Sequence, residues 1–215
     1  MHLIGEPISQ IIAFAITAIL AFAYHEFAHA IVADRLGDPT PRSYGRINPN
    51  PLVHLDVFGL IMLFLVGFGW ATTPVNPNRL RGNPRTSMAI VAVAGPLANL
   101  AMAILYALPI RLGLVDIAVS SEVIPTAFQL LIQGVEINLL LFGFNLLPIP
   151  PLDGFTILLG ILPAELAYQL EPLRRYGSML LIGALFLLPI IGLDIFSIVI
   201  GQVFNTLLPI LTGLG

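Results

Sequence analysis

Two imidazoles four residues apart, His25 and His29, with a carboxylate beside the first at Glu26, form a set that can bind a metal ion and move a proton. On a helix, residues four apart project from the same face, so both rings reach one ion. Glu26 is turned about 100° from His25 around the helix axis. It stands close enough to act on water at the metal without being a ligand itself.

The element that must carry these groups is unusually apolar. Residues 11–33 read IIAFAITAILAFAYHEFAHAIVA, long enough as a helix to cross a hydrocarbon core of about 30 Å. A charged side chain at that depth costs about 2.5 to 3.5 kcal/mol on insertion scales, so it marks a functional site by default. A buried histidine with a satisfied ring is the blander reading, but two His and a Glu within five residues leave several polar groups to pair in lipid. The pattern is the HExxH arrangement of zinc metallopeptidases.

Composition sets the class. Of 215 residues, 57% are hydrophobic and 10% charged, too apolar for a soluble domain. The reading is an all-α polytopic membrane protein. A net charge of −3 excludes a basic nucleic-acid surface, and the nine positive charges are all Arg. Cysteine is absent, so neither a disulfide framework nor a thiolate metal site forms. Residues 1–7 carry no Lys or Arg, and the apolar run leads straight into the HExxH residues; a cleaved signal peptide is not expected.

Along the chain, Asp34-Arg35 and Gly37-Asp38-Pro39 end the first helix. Residues 42–48, RSYGRIN, are expected to form a short strand or hairpin. Residues 57–71 are apolar but only 15 long, short for a full crossing, and are read as a membrane-dipping or re-entrant segment. Residues 88–110 are long enough to span, with a kink expected at Pro96. Asn99 on this span is open to a packing role against a neighbouring helix or a catalytic one. The next span, 125–147, carries Glu136, Asn138 and Asn145, the two Asn sharing a face. The proline-rich 148–151 is expected to be extended, 163–176 is a polar connection, and 177–215 is a closing hairpin broken at Gly192-Leu193-Asp194. Asp194 reads as a solvated loop charge.

The expectation is five to six transmembrane segments in a single membrane domain over 1–215, with a catalytic core at about 8–162 and an accessory hairpin at about 177–212. If 57–71 re-enters, one side of the membrane holds eight Arg against Arg111 alone on the other. By the positive-inside tendency that side is the cytoplasm.

A catalytic zinc takes three protein ligands and keeps a fourth position open. Helix 1 supplies two. The candidates for the third are Asp153, His54, Asp56 and Glu136. Asp153 stands in a stiff proline-rich loop, with an alternative role as N-cap of the helix that follows. His54 lies in a polar loop, where an interfacial or substrate-contacting role is the plainer one.

Taken together, His25-Glu26-Phe27-Ala28-His29, Gly95-Pro96-Leu97-Ala98-Asn99 and Asn145-Leu146-Leu147-Pro148-Ile149-Pro150-Pro151-Leu152-Asp153-Gly154 resemble the three signatures of the site-2 protease family, the intramembrane zinc metalloproteases. Asn48-Pro49 and His54-Leu55-Asp56 resemble its compact prokaryotic members. The resemblance implies one Zn2+ held by His25, His29 and Asp153, with Glu26 as general base and Asn145 stabilising an oxyanion or orienting substrate. It implies a transmembrane protein or peptide substrate in the lipid bilayer and a multi-pass protein of a prokaryotic inner membrane, active toward the cytoplasm. His54, Asn99 and Ile47 are candidate substrate contacts, Ile47 through a strand edge in 42–48 that would hold an unwound substrate. Self-association is left open. Two departures stand out: Ala28 replaces the family's common Gly, and no segment is long and polar enough for the PDZ or CBS modules of many relatives. The rival reading is a non-proteolytic zinc-binding protein or transporter of the same fold.

Overall fold

The computed structural model describes residues 5–56, 59 and 72–214. Among them every regular element is a helix. Five stretches, Ile8–Arg35, Pro84–Arg111, Ala127–Asn145, Ala164–Ile190 and Ile195–Thr212, are long and apolar enough to cross a membrane. This agrees with the expected all-α polytopic class. The expected re-entrant segment 57–71 lies outside the described residues apart from Gly59.

Helix α1, Ile8–Arg35, stops where Gly37 takes a φ of 104°. A side chain resists that conformation, and the turn lets the Gly37 and Asp38 amides close onto Asp34 and Ala33 carbonyls. Asp38, fully buried, then accepts from the Thr40 amide at 3.0 Å. That capped turn starts the short helix α2, Thr40–Ser43. Helix α3, Pro84–Arg111, is capped by the Asn83 side chain with Pro84 at its first position. Its buried face is a line of small residues, including Ser87, Ala92, Gly95, Asn99, Ala103 and Ala107, which lets neighbouring helices approach closely.

Helix α4, Ala127–Asn145, opens with a reciprocal capping box between Thr126 and Gln129. The chain then reverses. Ile149 donates to the Leu147 carbonyl and Leu152 to the Ile149 carbonyl, so 147–152 is a chain of tight turns and not the extended run expected from its prolines. Helix α5, Asp153–Ile161, folds back against α3, and at Gly160 a Cβ would lie 2.2 Å from the Ala89 Cβ. Helices α6, Ala164–Leu170, α7, Gly177–Ile190, and α8, Ile195–Thr212, complete the described chain. Asp194 caps α8 by accepting from the Ser197 amide at 3.0 Å, which gives the loop charge a structural use.

The two ends of the bundle are distinct. At one end Arg81 donates to the Leu36 carbonyl at 2.7 Å, and Arg174 reaches Thr156 on α5 at 3.0 Å. At the other, Ser9 donates to the Glu122 carbonyl at 3.1 Å and Arg111 to the Ile210 carbonyl at 2.6 Å.

The expected strand at 42–48 is not formed. The amides of Ser43, Tyr44, Gly45 and Arg46 all donate back to carbonyls of residues 39–42. The capped turn at Asp38-Pro39-Thr40 starts a helix there, and its hydrogen bonds leave no edge in that stretch. Ile47 sits half-buried in a bend after it.

Candidate metal centre

Helices α1 and α5 meet at three atoms. His25 Nε2 and His29 Nε2 lie 3.0 Å apart, and Asp153 Oδ2 lies 3.1 Å from the first and 3.2 Å from the second. Both imidazoles are buried, 6% and 7% exposed.

Which atoms carry protons follows from their other partners. His29 Nδ1 faces the Val91 carbonyl at 2.8 Å, so that nitrogen must donate. His25 Nδ1 faces Asn99 Oδ1 at 2.6 Å. Asn99 Nδ2 gives its hydrogens to the Ala21 carbonyl at 3.2 Å and to Asn138 Oδ1 at 2.9 Å, while Asn138 Nδ2 donates to the Gly134 carbonyl at 2.8 Å. That chain fixes the orientation of the Asn99 amide and makes His25 Nδ1 a donor as well. In the neutral rings, both Nε2 atoms then present lone pairs.

Those lone pairs point toward each other and toward a carboxylate oxygen. Asp153 Oδ2 is buried without a hydrogen-bond donor. Three acceptors so close need a cation between them. For tetrahedral zinc with bonds of about 2.0 to 2.1 Å, ligand atoms lie about 3.3 to 3.4 Å apart, within a few tenths of an ångström of the triangle observed. Gly95 supplies the room: a Cβ there would sit 2.4 Å from His29 Nε2 and 2.5 Å from His25 Nε2. The residues present therefore fit a zinc ion.

Asp153 can serve because it is not a cap. Leu152 occupies the N-cap position, and Asp153 is the first residue of α5. Gly154 sets its place, since a Cβ there would lie 2.3 Å from the Leu146 and Leu147 carbonyl oxygens. Glu26 is 6% exposed and belongs to a looser grouping, in which the ligand atoms of His25, Glu26 and His29 lie within 4.8 Å of one another. Its Oε2 accepts from Thr73 Oγ1 at 2.6 Å.

The chain was compared with known proteins. It is 39% identical over 189 residues to "Putative zinc metalloprotease YwhC" of Bacillus subtilis, covering 86% of this chain and 84% of that one. It is 32% identical over 188 residues to "Putative zinc metalloprotease Rip2" of Mycobacterium tuberculosis, covering 84% and 69%. It is 31% identical over 160 residues to "Putative zinc metalloprotease MJ0611" of Methanocaldococcus jannaschii, covering 71% and 73%. The chain belongs to this family of zinc metalloproteases. No family model and no solved structure matches it. These names are consistent with the site-2 protease resemblance carried by the motifs.

Within this family member, the other sequence-predicted residues fall in different places. Asn99 joins the cluster as the hydrogen-bond partner of a histidine. Asn145 is half-buried at the end of α4, and its amide donates to the Leu141 carbonyl at 3.0 Å. His54 is 1% exposed, its ring tilted 5.4 Å from that of Phe27 and its Nε2 on the Asn48 carbonyl at 2.7 Å. These contacts pack the 48–54 loop onto α1, and His54 is not one of the three side chains of the triangle. Sequence reasoning missed the Val91 carbonyl, Gly95 as the space beside the rings, and Thr73. Only Gly95 left a signal, as part of a recognised motif.

Proposed function

We propose that this protein is an intramembrane zinc endopeptidase of the site-2 protease type, which hydrolyses peptide bonds within transmembrane segments of other membrane proteins. The observation that carries the reading is the convergence of three lone-pair donors from α1 and α5 among apolar helices. His25, His29 and Asp153 would hold the zinc ion. When bound, zinc supplies a Lewis acid that polarises a carbonyl oxygen and lowers the pKa of water.

The remaining chemistry falls to the chain. Glu26, the carboxylate nearest the triangle that is not part of it, takes a proton from the attacking water as the water oxygen bonds to the scissile carbonyl carbon. It returns that proton to the amine nitrogen as the C–N bond breaks. Asn145 has a second amide hydrogen beyond the one given to Leu141, and that hydrogen is assigned to the developing oxyanion. The Asp153 side chain is 19% exposed, against 8% and 9% for those of His25 and His29, so water is taken to approach from its side.

The end of the bundle that holds the site also holds Arg35, Arg81, Arg85 and Arg174, while Arg111 lies at the other. That polarity supports a cytoplasmic opening in a prokaryotic inner membrane. The experiment is cleavage of a panel of single-span substrates in detergent or vesicles, with and without a zinc chelator. Wild-type protein is expected to cut and to stop when chelated. Glu26→Gln is expected to keep its zinc and lose cleavage; a variant that still cuts rules the reading out.

A further inference from the structure

Glu26 needs a fixed orientation, and helix α1 alone does not give it one. Among the described residues the only hydrogen bond to its carboxylate comes from Thr73, whose Oγ1 lies 2.6 Å from Glu26 Oε2 and 3.0 Å from the Glu26 backbone carbonyl oxygen. A hydroxyl has one hydrogen, and of the two acceptors the carboxylate oxygen is the nearer and the charged one, so that hydrogen goes to Glu26 Oε2 and ties the side chain to the loop that carries Thr73. The carboxylate is folded back on a defined path.

Thr73 is itself well anchored. Three residues on, the Asn76 amide donates to Asp38 Oδ2 at 2.6 Å, and the other oxygen of this fully buried carboxylate takes the Thr40 amide at 3.0 Å and the Thr40 hydroxyl at 2.5 Å. Further on, Arg81 donates to the Leu36 carbonyl at 2.7 Å. The 72–81 loop is therefore stitched twice to the turn that ends α1, the same helix that carries Glu26. A loop bonded to the end of a helix holds a residue partway along it.

We infer that Thr73 is the positioning residue of Glu26: its hydroxyl holds the carboxylate beside the metal triangle, in the rotamer from which it meets the attacking water. This rests on the proteolytic reading. A base misplaced by about 1 Å can cost on the order of a hundredfold in rate, and the loss should fall on the chemical step, not on substrate binding or zinc binding.

The test compares Thr73→Val, which keeps the shape and removes the hydroxyl, with Thr73→Ser, which keeps the hydroxyl. Zinc content and cleavage of a single-span substrate are measured on full-length protein in vesicles. Thr73→Val is expected to lose about ten- to a hundredfold in kcat with KM and zinc content unchanged, and Thr73→Ser to recover most of the rate. A Val variant with wild-type kcat, a Ser variant as slow as Val, or loss of zinc from the Val variant overturns the assignment. A second readout needs no cleavage. In metal-free protein the Tm losses of Glu26→Ala and Thr73→Val should be less than additive in the double variant, because each already breaks the shared bond. Strict additivity overturns the inference. A Glu26→Gln variant that still cleaves instead removes the proteolytic reading and leaves the Tm cycle to judge Thr73.

Discussion

Asn99 gives away both amide hydrogens, to Ala21 and Asn138, and spends its oxygen on His25 Nδ1. Partners of this kind fix the tautomer of a metal-binding imidazole, and their loss typically costs ten- to a hundredfold in metal affinity. Asn99→Ala is therefore expected to weaken zinc binding by about that factor, measured by competition with a chromophoric chelator. Gly95 acts more bluntly. Its Cβ would lie 2.4 to 2.5 Å from the two ring nitrogens, so Gly95→Ala must push the rings aside, and metal analysis should find the purified variant largely free of zinc. The convergence of His25, His29 and Asp153 was legible because a four-residue spacing maps onto one helix face and the proline-flanked Asp153 belongs to a recognised motif. Thr73 and the Val91 carbonyl were not legible: each meets its partner across long stretches of chain, and neither residue type announces a role. Asn99 was half legible, as a polar side chain that needed a partner, with the partner unnamed.

At the scale of elements, local chemistry overrode a composition-based reading at 42–48. Three Pro and a Gly between 40 and 51 suggested chain too broken for a helix, yet the Asp38 side chain accepts from the Thr40 amide and the chain coils for a turn. The turn after α4 shows the reverse: its prolines were read correctly as a helix stop, while the tight reversal depends on contact between Gly154 and the Leu146 and Leu147 carbonyl oxygens. Gly154→Ala would force α5 off that seat. Overpacking of this kind costs about 1 to 3 kcal/mol, and the expected result is a lower Tm together with reduced zinc content, since Asp153 moves with the helix. The 48–54 loop should respond to acid. Burial lowers the His54 pKa from 6.5, so the unfolded loop takes up a proton before the folded one does. The stability this neutral ring contributes is fully present above about pH 6.5 and is lost as pH falls through the folded pKa below it. The protection factors of the Leu52 and Val53 amides against hydrogen exchange should fall below that pH, and His54→Gln should flatten the response.

The whole molecule is polarised. The ends of α1 and α3 nearest the metal triangle carry Arg35 and Arg85, Arg174 reaches Thr156 of α5, and both Thr73 and His54 pack against α1 at residues 26 and 27. The hydrophobic runs and charge asymmetry made the spans legible, because lipid forces each backbone group to pair within its own helix; which helices touch was not legible, since small-residue faces such as that of α3 permit several neighbours. The proposed topology has a direct test. The chain lacks cysteine, so single substitutions can be labelled without background. Asn78→Cys, in the loop stitched to Asp38, should react with a membrane-impermeant maleimide only after cytoplasmic access is given in inverted vesicles. Asp116→Cys, beyond the Arg111 end, should react from outside intact cells. If both label from the same side, or if the pattern is reversed, the assignment of the site to the cytoplasmic half of the membrane is wrong, and a substrate would have to be presented from the opposite leaflet.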